Sequence, residues 1–197
     1  LLTLIAILFS VFLSNSRGIS NDRLLMSLYK YFVGCIPNLS YWINKLGDSL
    51  EHTYGFSSIN GFLLPVIILL RGVGILGATP HLSKLAGQYI ALPENVSQLG
   101  QGIGFNAFVS PAYSFYVDGG LIGVLISSFV YGYICMNLFN NFTRTHFTKH
   151  SAIYAILFTT LIMSFTKFQF SQYFYSMALV MCFVVYKREK KDDNIKS

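Results

Sequence analysis

The chain has 197 residues, 53% of them hydrophobic and only 11% charged, with a net charge of +6. Soluble domains carry about 25% charged residues, so the composition excludes an ordinary soluble protein and points to an all-α, polytopic membrane protein. The positive balance is no nucleic-acid signature, because five of the 14 basic residues lie in the terminal run KREKKDDNIKS and the rest are scattered.

Leu1–Leu13 reads as the end of a transmembrane helix. It is apolar but shorter than the roughly 20 residues a crossing takes, and no basic segment precedes it as in a signal peptide. The chain is therefore expected to be the C-terminal part of a longer protein. Ser14 to Gly18 stops that helix with polar and helix-breaking residues. Over Arg23–Lys45 apolar residues recur at spacings of three and four, which predicts an amphipathic helix broken at Pro37 and lying along a surface. Gly47–Asn60 reads as a loop. In Gly61–Gly77 an apolar run is interrupted by Pro65 and Arg71. A charge at the bilayer centre costs about 2.5–3.5 kcal/mol, so a re-entrant or interfacial helix pair is expected there rather than a crossing. A short helix is predicted near Leu82–Tyr89. Gly100, Gly102 and Gly104 read as a flexible turn, without the Lys-Ser/Thr of a phosphate loop.

From Gly104 the chain is aromatic and broken by Pro111, so no regular helix is expected before Asp118. Gly119–Phe139 then predicts a spanning helix. Asn140–His150 is a polar loop, Ser151–Phe165 a second span, Thr166–Gln172 a tight turn and Tyr173–Tyr186 a third span. About four transmembrane helices are thus expected (the first ending at 13, three more over 119–186), with a large extracytoplasmic loop region over 14–118 that carries interfacial or re-entrant helices. Lys187, Arg188, Lys190 and Lys191 put the tail, 187–197, in the cytoplasm by the positive-inside rule. Counting back, Asn140–His150 is inside, and Thr166–Gln172 and Asp118 are outside. Loops beyond about 12–15 residues are usually functional, and the outer region is far longer.

No protease triad, zinc spacing, nucleotide loop or paired-carboxylate signature occurs, and neither a metal nor a cofactor is expected. Cys35, Cys135 and Cys182 are far apart and read as inert thiols. The outer region holds Arg17, Arg23, Lys30, Lys45, Arg71, Lys84, His52 and His81 among aromatic residues. That mixture suits the anionic head group of a lipid carrying sugars, since guanidinium groups bind diphosphate oxygens bidentately and aromatic faces suit sugar rings. Each candidate also has a structural reading. Arg17 is a diphosphate clamp or a snorkelling interfacial Arg. Arg71 is a ligand-binding charge in an apolar run or half of an ion pair. Asp118, before Gly119-Gly120, is a base or sugar-binding carboxylate, or a helix N-cap. Asn106, Tyr113 and Tyr116 are substrate contacts, or loop packing and interfacial belt residues. His81 is a proton carrier or a plain surface His.

The succession Asn106-Ala107-Phe108, Pro111, Tyr113, Tyr116, Asp118-Gly119, Gly123 and Gly132 resembles the bacterial oligosaccharide repeat-unit polymerases, the Wzy-type O-antigen and capsule polymerases. Arg17-Gly18 and the run Tyr31-x-x-Gly34-x-Ile36-Pro37 resemble the start of that family's large periplasmic loop. The chain departs from the family pattern at Val109, where Thr is common, and at Gly119-Gly120, where an aromatic is common. The resemblance implies a multi-pass glycosyltransferase of the bacterial cytoplasmic membrane with its active face outside. It would join undecaprenyl-diphosphate-linked repeat units into O-antigen or capsular polysaccharide, with a lipid-linked glycan as donor and another as acceptor. Chain-length regulator and flippase proteins are the implied protein partners, and nucleic acid is not one. Arg17 and Arg71 would hold the diphosphate, Asp118 or His81 would act as base, and Tyr31, Asn106, Tyr113 and Tyr116 would contact substrate. The alternatives are a lipid-linked oligosaccharide flippase and an O-antigen ligase. Ligases typically carry a His in the last large loop, and none lies near Asn106–Asp118.

Overall fold

The computed structural model describes residues 33–98, 104–105, 109–145 and 148–193. Leu1–Leu13, Arg17, Tyr31 and Asn106 lie outside the described residues, as do Gly100 and Gly102. The fold is helical: α1 (Cys35–Leu46), α2 (Phe56–Gly72), α3 (His81–Ala91), α4 (Ser110–Thr145), α5 (Thr148–Ile162) and α6 (Tyr173–Asp193). A two-residue antiparallel pair joins β1 (Ser97–Gln98) to β2 (Gly104–Phe105) between α3 and α4.

Two prolines expected to break helices instead stand near helix starts. Pro37 lies in the first turn of α1 and Pro111 in that of α4, where a missing N–H costs nothing because those amides have no intrahelical partner. The chain is therefore helical before Asp118, contrary to the sequence expectation. Gly47–Asn60 is a loop only up to Gly55. A single helix, α2, replaces the expected pair inside 61–77 and passes through Pro65 without ending.

α4 is not one rod. Gly119 and Gly120 leave helical geometry, and Gly120 takes φ +64°, ψ −150°, which side-chain-bearing residues avoid. The halves, α4a (110–118) and α4b (121–145), fold back on each other. A Cβ on Gly123 would lie 2.5 Å from the Phe115 carbonyl oxygen, although eight residues of straight helix span about 12 Å. The ring of Phe168 meets both Phe115 and Tyr131, at 4.9 and 5.2 Å between centroids.

α4a is the wall between two cores. Val109, Tyr113 and Val117, spaced by four, face Trp42 and Leu46 of α1 and Tyr89 of α3. Phe115, on the other side, packs with Leu157, Phe168 and Phe170. The first core is a cap of α1, α3 and α4a, and the second holds α4b, α5 and α6 together with α2.

α4b, α5 and α6 run alternately up and down. At the elbow end, the Val109 amide donates to the Thr166 carbonyl (2.8 Å) and Lys167 pairs with Glu94 (2.8 Å). At the far end, Phe142 stacks on Tyr154 and the Lys149 ammonium sits 4.8 Å from the Phe183 ring centre. The cap and the 166–172 turn thus share one end of the bundle.

Ser110–Arg144 contains the one stretch, among the described residues, long and apolar enough to cross a membrane, and none of its most apolar window is buried. Because the chain turns at Gly119–Gly120, the straight part is α4b, about 37 Å long. Phe56–Gly72, Lys149–Ile162 and Tyr173–Val185 are shorter apolar helices.

Candidate functional site

The elbow is where separate parts of the chain meet. Breaking a helix frees the carbonyls ahead of the break and the amides after it. Segment 51–55 docks against the freed carbonyls: the Thr53 amide donates to Val117 O (3.1 Å) and the Tyr54 amide to Asp118 O (3.0 Å). The same segment leads into α2, whose own first amides need an acceptor. Gly55, the residue before α2, has no side chain to cap it.

Asp118 supplies that cap from another element. Its Oδ1 accepts from the Ser57 amide (2.9 Å) and the Thr53 hydroxyl (2.5 Å). Its Oδ2 accepts from the Ser58 amide (2.9 Å) and the Ser58 hydroxyl (2.5 Å). The carboxylate is 5% exposed and stands at the positive end of the α2 dipole. The N-cap alternative for Asp118 is what the geometry shows, but the helix it caps is α2, about sixty residues back in sequence, rather than the one that follows it.

His52 lies against the elbow. Its Nδ1 is 3.3 Å from Val117 O, and a carbonyl only accepts, so Nδ1 carries the proton and Nε2 is the acceptor in the neutral ring. A Cβ on Gly120 would be 3.7 Å from that Nε2, an ordinary contact distance, so the ring lies directly over the elbow glycine.

Beneath the elbow a cavity of about 360 Å³ runs between α2, α4b, α5 and α6. Ser58 and Asp118 form its polar end. Phe62, Tyr131, Leu138 and Leu179 are among its apolar walls. A polar end closing a long apolar slot suits a molecule with a head group and a hydrocarbon chain.

The other sequence candidates do not gather here. Arg71 is at the opposite end of α2, roughly 20 Å along the helix from its N-terminus, exposed and donating to the Thr79 hydroxyl (3.1 Å). Tyr113 is 2% exposed and its hydroxyl donates to Tyr89 O (3.0 Å), so its ring is a core residue and presents no face to a sugar. Burial, with Tyr89 alongside, holds its phenol well above the ordinary range. Tyr116 is half-buried on the same helix. His81 is on the cap surface, 71% exposed, with Nδ1 3.5 Å from Glu51.

Sequence reasoning missed Thr53, Ser57 and Ser58 as partners of Asp118, and His52 as an elbow residue. Ser57-Ser58 ahead of the apolar run of α2 was the available signal for a helix start. Nothing local marks His52. No protein family, characterised protein or solved structure matches this chain.

Proposed function

We propose that the chain is a multi-pass membrane enzyme that transfers glycan between polyprenyl-diphosphate carriers at the outer face of the bacterial cytoplasmic membrane, as the resemblance to the repeat-unit polymerases implies. The observation that carries this reading is the apolar slot closed at one end by the Asp118–Ser58 elbow. A prenyl chain would lie along the slot, with its diphosphate and sugars at the elbow under the cap. In this arrangement α4b, α5 and α6 cross the bilayer, the basic tail is cytoplasmic, and the cap and the 166–172 turn are outside.

In the reaction the acceptor hydroxyl oxygen attacks the anomeric carbon of the donor glycan. The carbon–oxygen bond to the diphosphate breaks, and its electron pair leaves on the diphosphate. The hydroxyl proton goes to a base. The Asp118 carboxylate is engaged by four donors and serves to hold the elbow. His52, with Nδ1–H fixed and Nε2 left as acceptor, takes the base role in this reading, and His81, beside Glu51, is the second histidine on that face. Arg17 and Arg71 are the sequence-derived diphosphate ligands, and the distance of Arg71 from the elbow leaves Arg17 as the one to test.

A flippase is the second reading, favoured by the broken helix itself, since transporters build binding sites at such breaks. Here the Val117 and Asp118 carbonyls of the break are bonded to segment 51–55, which favours a fixed enzyme site. Deleting the gene and separating surface polysaccharide on a gel discriminates the two. Loss of the long ladder with single repeat units still attached supports the polymerase, whereas loss of every unit points to a flippase or ligase.

A further inference from the structure

The hairpin of α2 and α3 leaves the elbow and comes back to it. Glu51, just before α2, lies against His81 at the start of α3 (3.5 Å), and its amide donates a hydrogen bond to the Tyr89 hydroxyl near the end of α3 (3.3 Å). That return brings both ends of the hairpin to the elbow, which argues against a crossing.

The tip of this hairpin is apolar and bare: Leu69, Val73 and Ile75 are 68, 73 and 69% exposed. Four of its amides are bonded within the tip. The amides of Val73, Gly74, Ile75 and Leu76 donate to the carbonyls of Leu69, Arg71, Leu70 and Leu70 at 2.9–3.2 Å, with Gly74 at φ +77° making the turn. Backbone entering lipid must be satisfied internally, and a turn exposed to water has no such need. Residues 56–91 contain no Asp or Glu, while Arg71, His81 and Lys84 are exposed. Among the described residues no carboxylate pairs with Arg71, whose bond to Thr79 is to a neutral hydroxyl.

We infer that the α2–α3 hairpin is a shallow membrane wedge, its tip (69–76) entering the headgroup–acyl boundary of the outer leaflet and Arg71 binding the phosphates of anionic lipids there. Arg71 sets the depth. Interfacial elements sink about 5–10 Å while their basic residues stay at headgroup level, and Arg71, two residues from Val73, permits no more. The inference rests on the membrane placement in the proposed function and not on its transfer chemistry.

The test uses the full chain with Cys35, Cys135 and Cys182 replaced by Ser and a single Cys at Ile75 or, separately, at Val73. Each is labelled with an environment-sensitive fluorophore and reconstituted in phosphatidylcholine–phosphatidylglycerol vesicles. Expected are blue-shifted emission at both positions and stronger quenching by a spin label high on the acyl chain than by one near its end. Quenching by spin-labelled phosphatidylglycerol should exceed that by spin-labelled phosphatidylcholine, and Arg71→Ala should reduce this ratio about fivefold, the weight of one basic residue at an anionic surface. Water-like emission from protein that floats with the vesicles overturns the wedge, as does labelling of either Cys from the tail side. Protein that does not float with vesicles overturns the membrane placement itself.

Discussion

Asp118→Ala separates a carboxylate that builds the elbow from one that does chemistry. Removing it strips the acceptor from four donors. The Thr53 and Ser58 hydroxyls can turn to other partners, but the Ser57 and Ser58 amides are fixed by the first turn of α2. Loss of an N-cap costs about 0.5–2 kcal/mol, and hydrogen bonds to a charged acceptor contribute about 1.5–3 kcal/mol each. The two fixed amides alone then give roughly 3 kcal/mol, and 5 kcal/mol is near the ceiling for a single substitution. In a chain of this size 1 kcal/mol moves the melting temperature by about 2–4 °C, so a fall of roughly 6–20 °C is expected. The half-buried cysteines Cys35, Cys135 and Cys182 provide the readout, through a thiol-reactive fluorophore followed during heating in detergent. Asp118→Asn should fall between the two, because its amide nitrogen must face a donor. A variant Asp118→Ala that melts within 2 °C of the parent would refute the capping argument and return Asp118 to the list of bases.

Gly61 meets the carbonyls of Phe170 and Gln172 and the hydroxyl of Ser176, each 2.5 Å from where a Cβ would stand. Gly61→Ala should therefore lower the melting temperature, overpacking of about 1–3 kcal/mol outweighing a helix-propensity gain of about 1 kcal/mol. A higher melting temperature would mean that α2 and α6 separate freely. Gly120→Ala should cost about 1–3 kcal/mol for its backbone conformation, whereas Gly119→Ala should cost less, since Gly119 has extended φ and open space around it; equal melting shifts for the pair would contradict the elbow geometry. Tyr113 keeps its proton more tightly when folded than when unfolded, so its contribution is complete below pH about 10 and is lost as pH rises beyond that. Tyr113→Phe should flatten the alkaline decline in stability while lowering stability at neutral pH by about 0.5–1.5 kcal/mol for the lost hydrogen bond, both measurable by the same thermal assay across pH.

The parts legible in the sequence were those encoded locally. Asp118-Gly119-Gly120 marked the start of the long apolar helix, and the structure puts its elbow there. The turn at 166–172 and the helix near Leu82–Tyr89 followed from composition and periodicity. Pro37 and Pro111 misled, because a proline reads as a breaker unless the helix is known to begin beside it. The partners of Asp118 were out of reach for a different reason. Sequence patterns report neighbours up to a few turns away, and Ser57 and Ser58 are separated from Asp118 by 61 and 60 positions. Tyr113 stayed open between substrate contact and packing because a tyrosine near a predicted membrane boundary fits either, and the spacing of Val109, Tyr113 and Val117 becomes informative only once 110–118 is known to be helical.

The sixty-odd residues between α2 and its cap also set a schedule for biogenesis. Chains grow at about 5–20 residues per second, so the first turn of α2 emerges roughly 3–12 s before the carboxylate that completes it. Throughout that interval the first turn of α2 lacks its carboxylate cap, and final seating of segment 51–55 must wait for α4 to arrive.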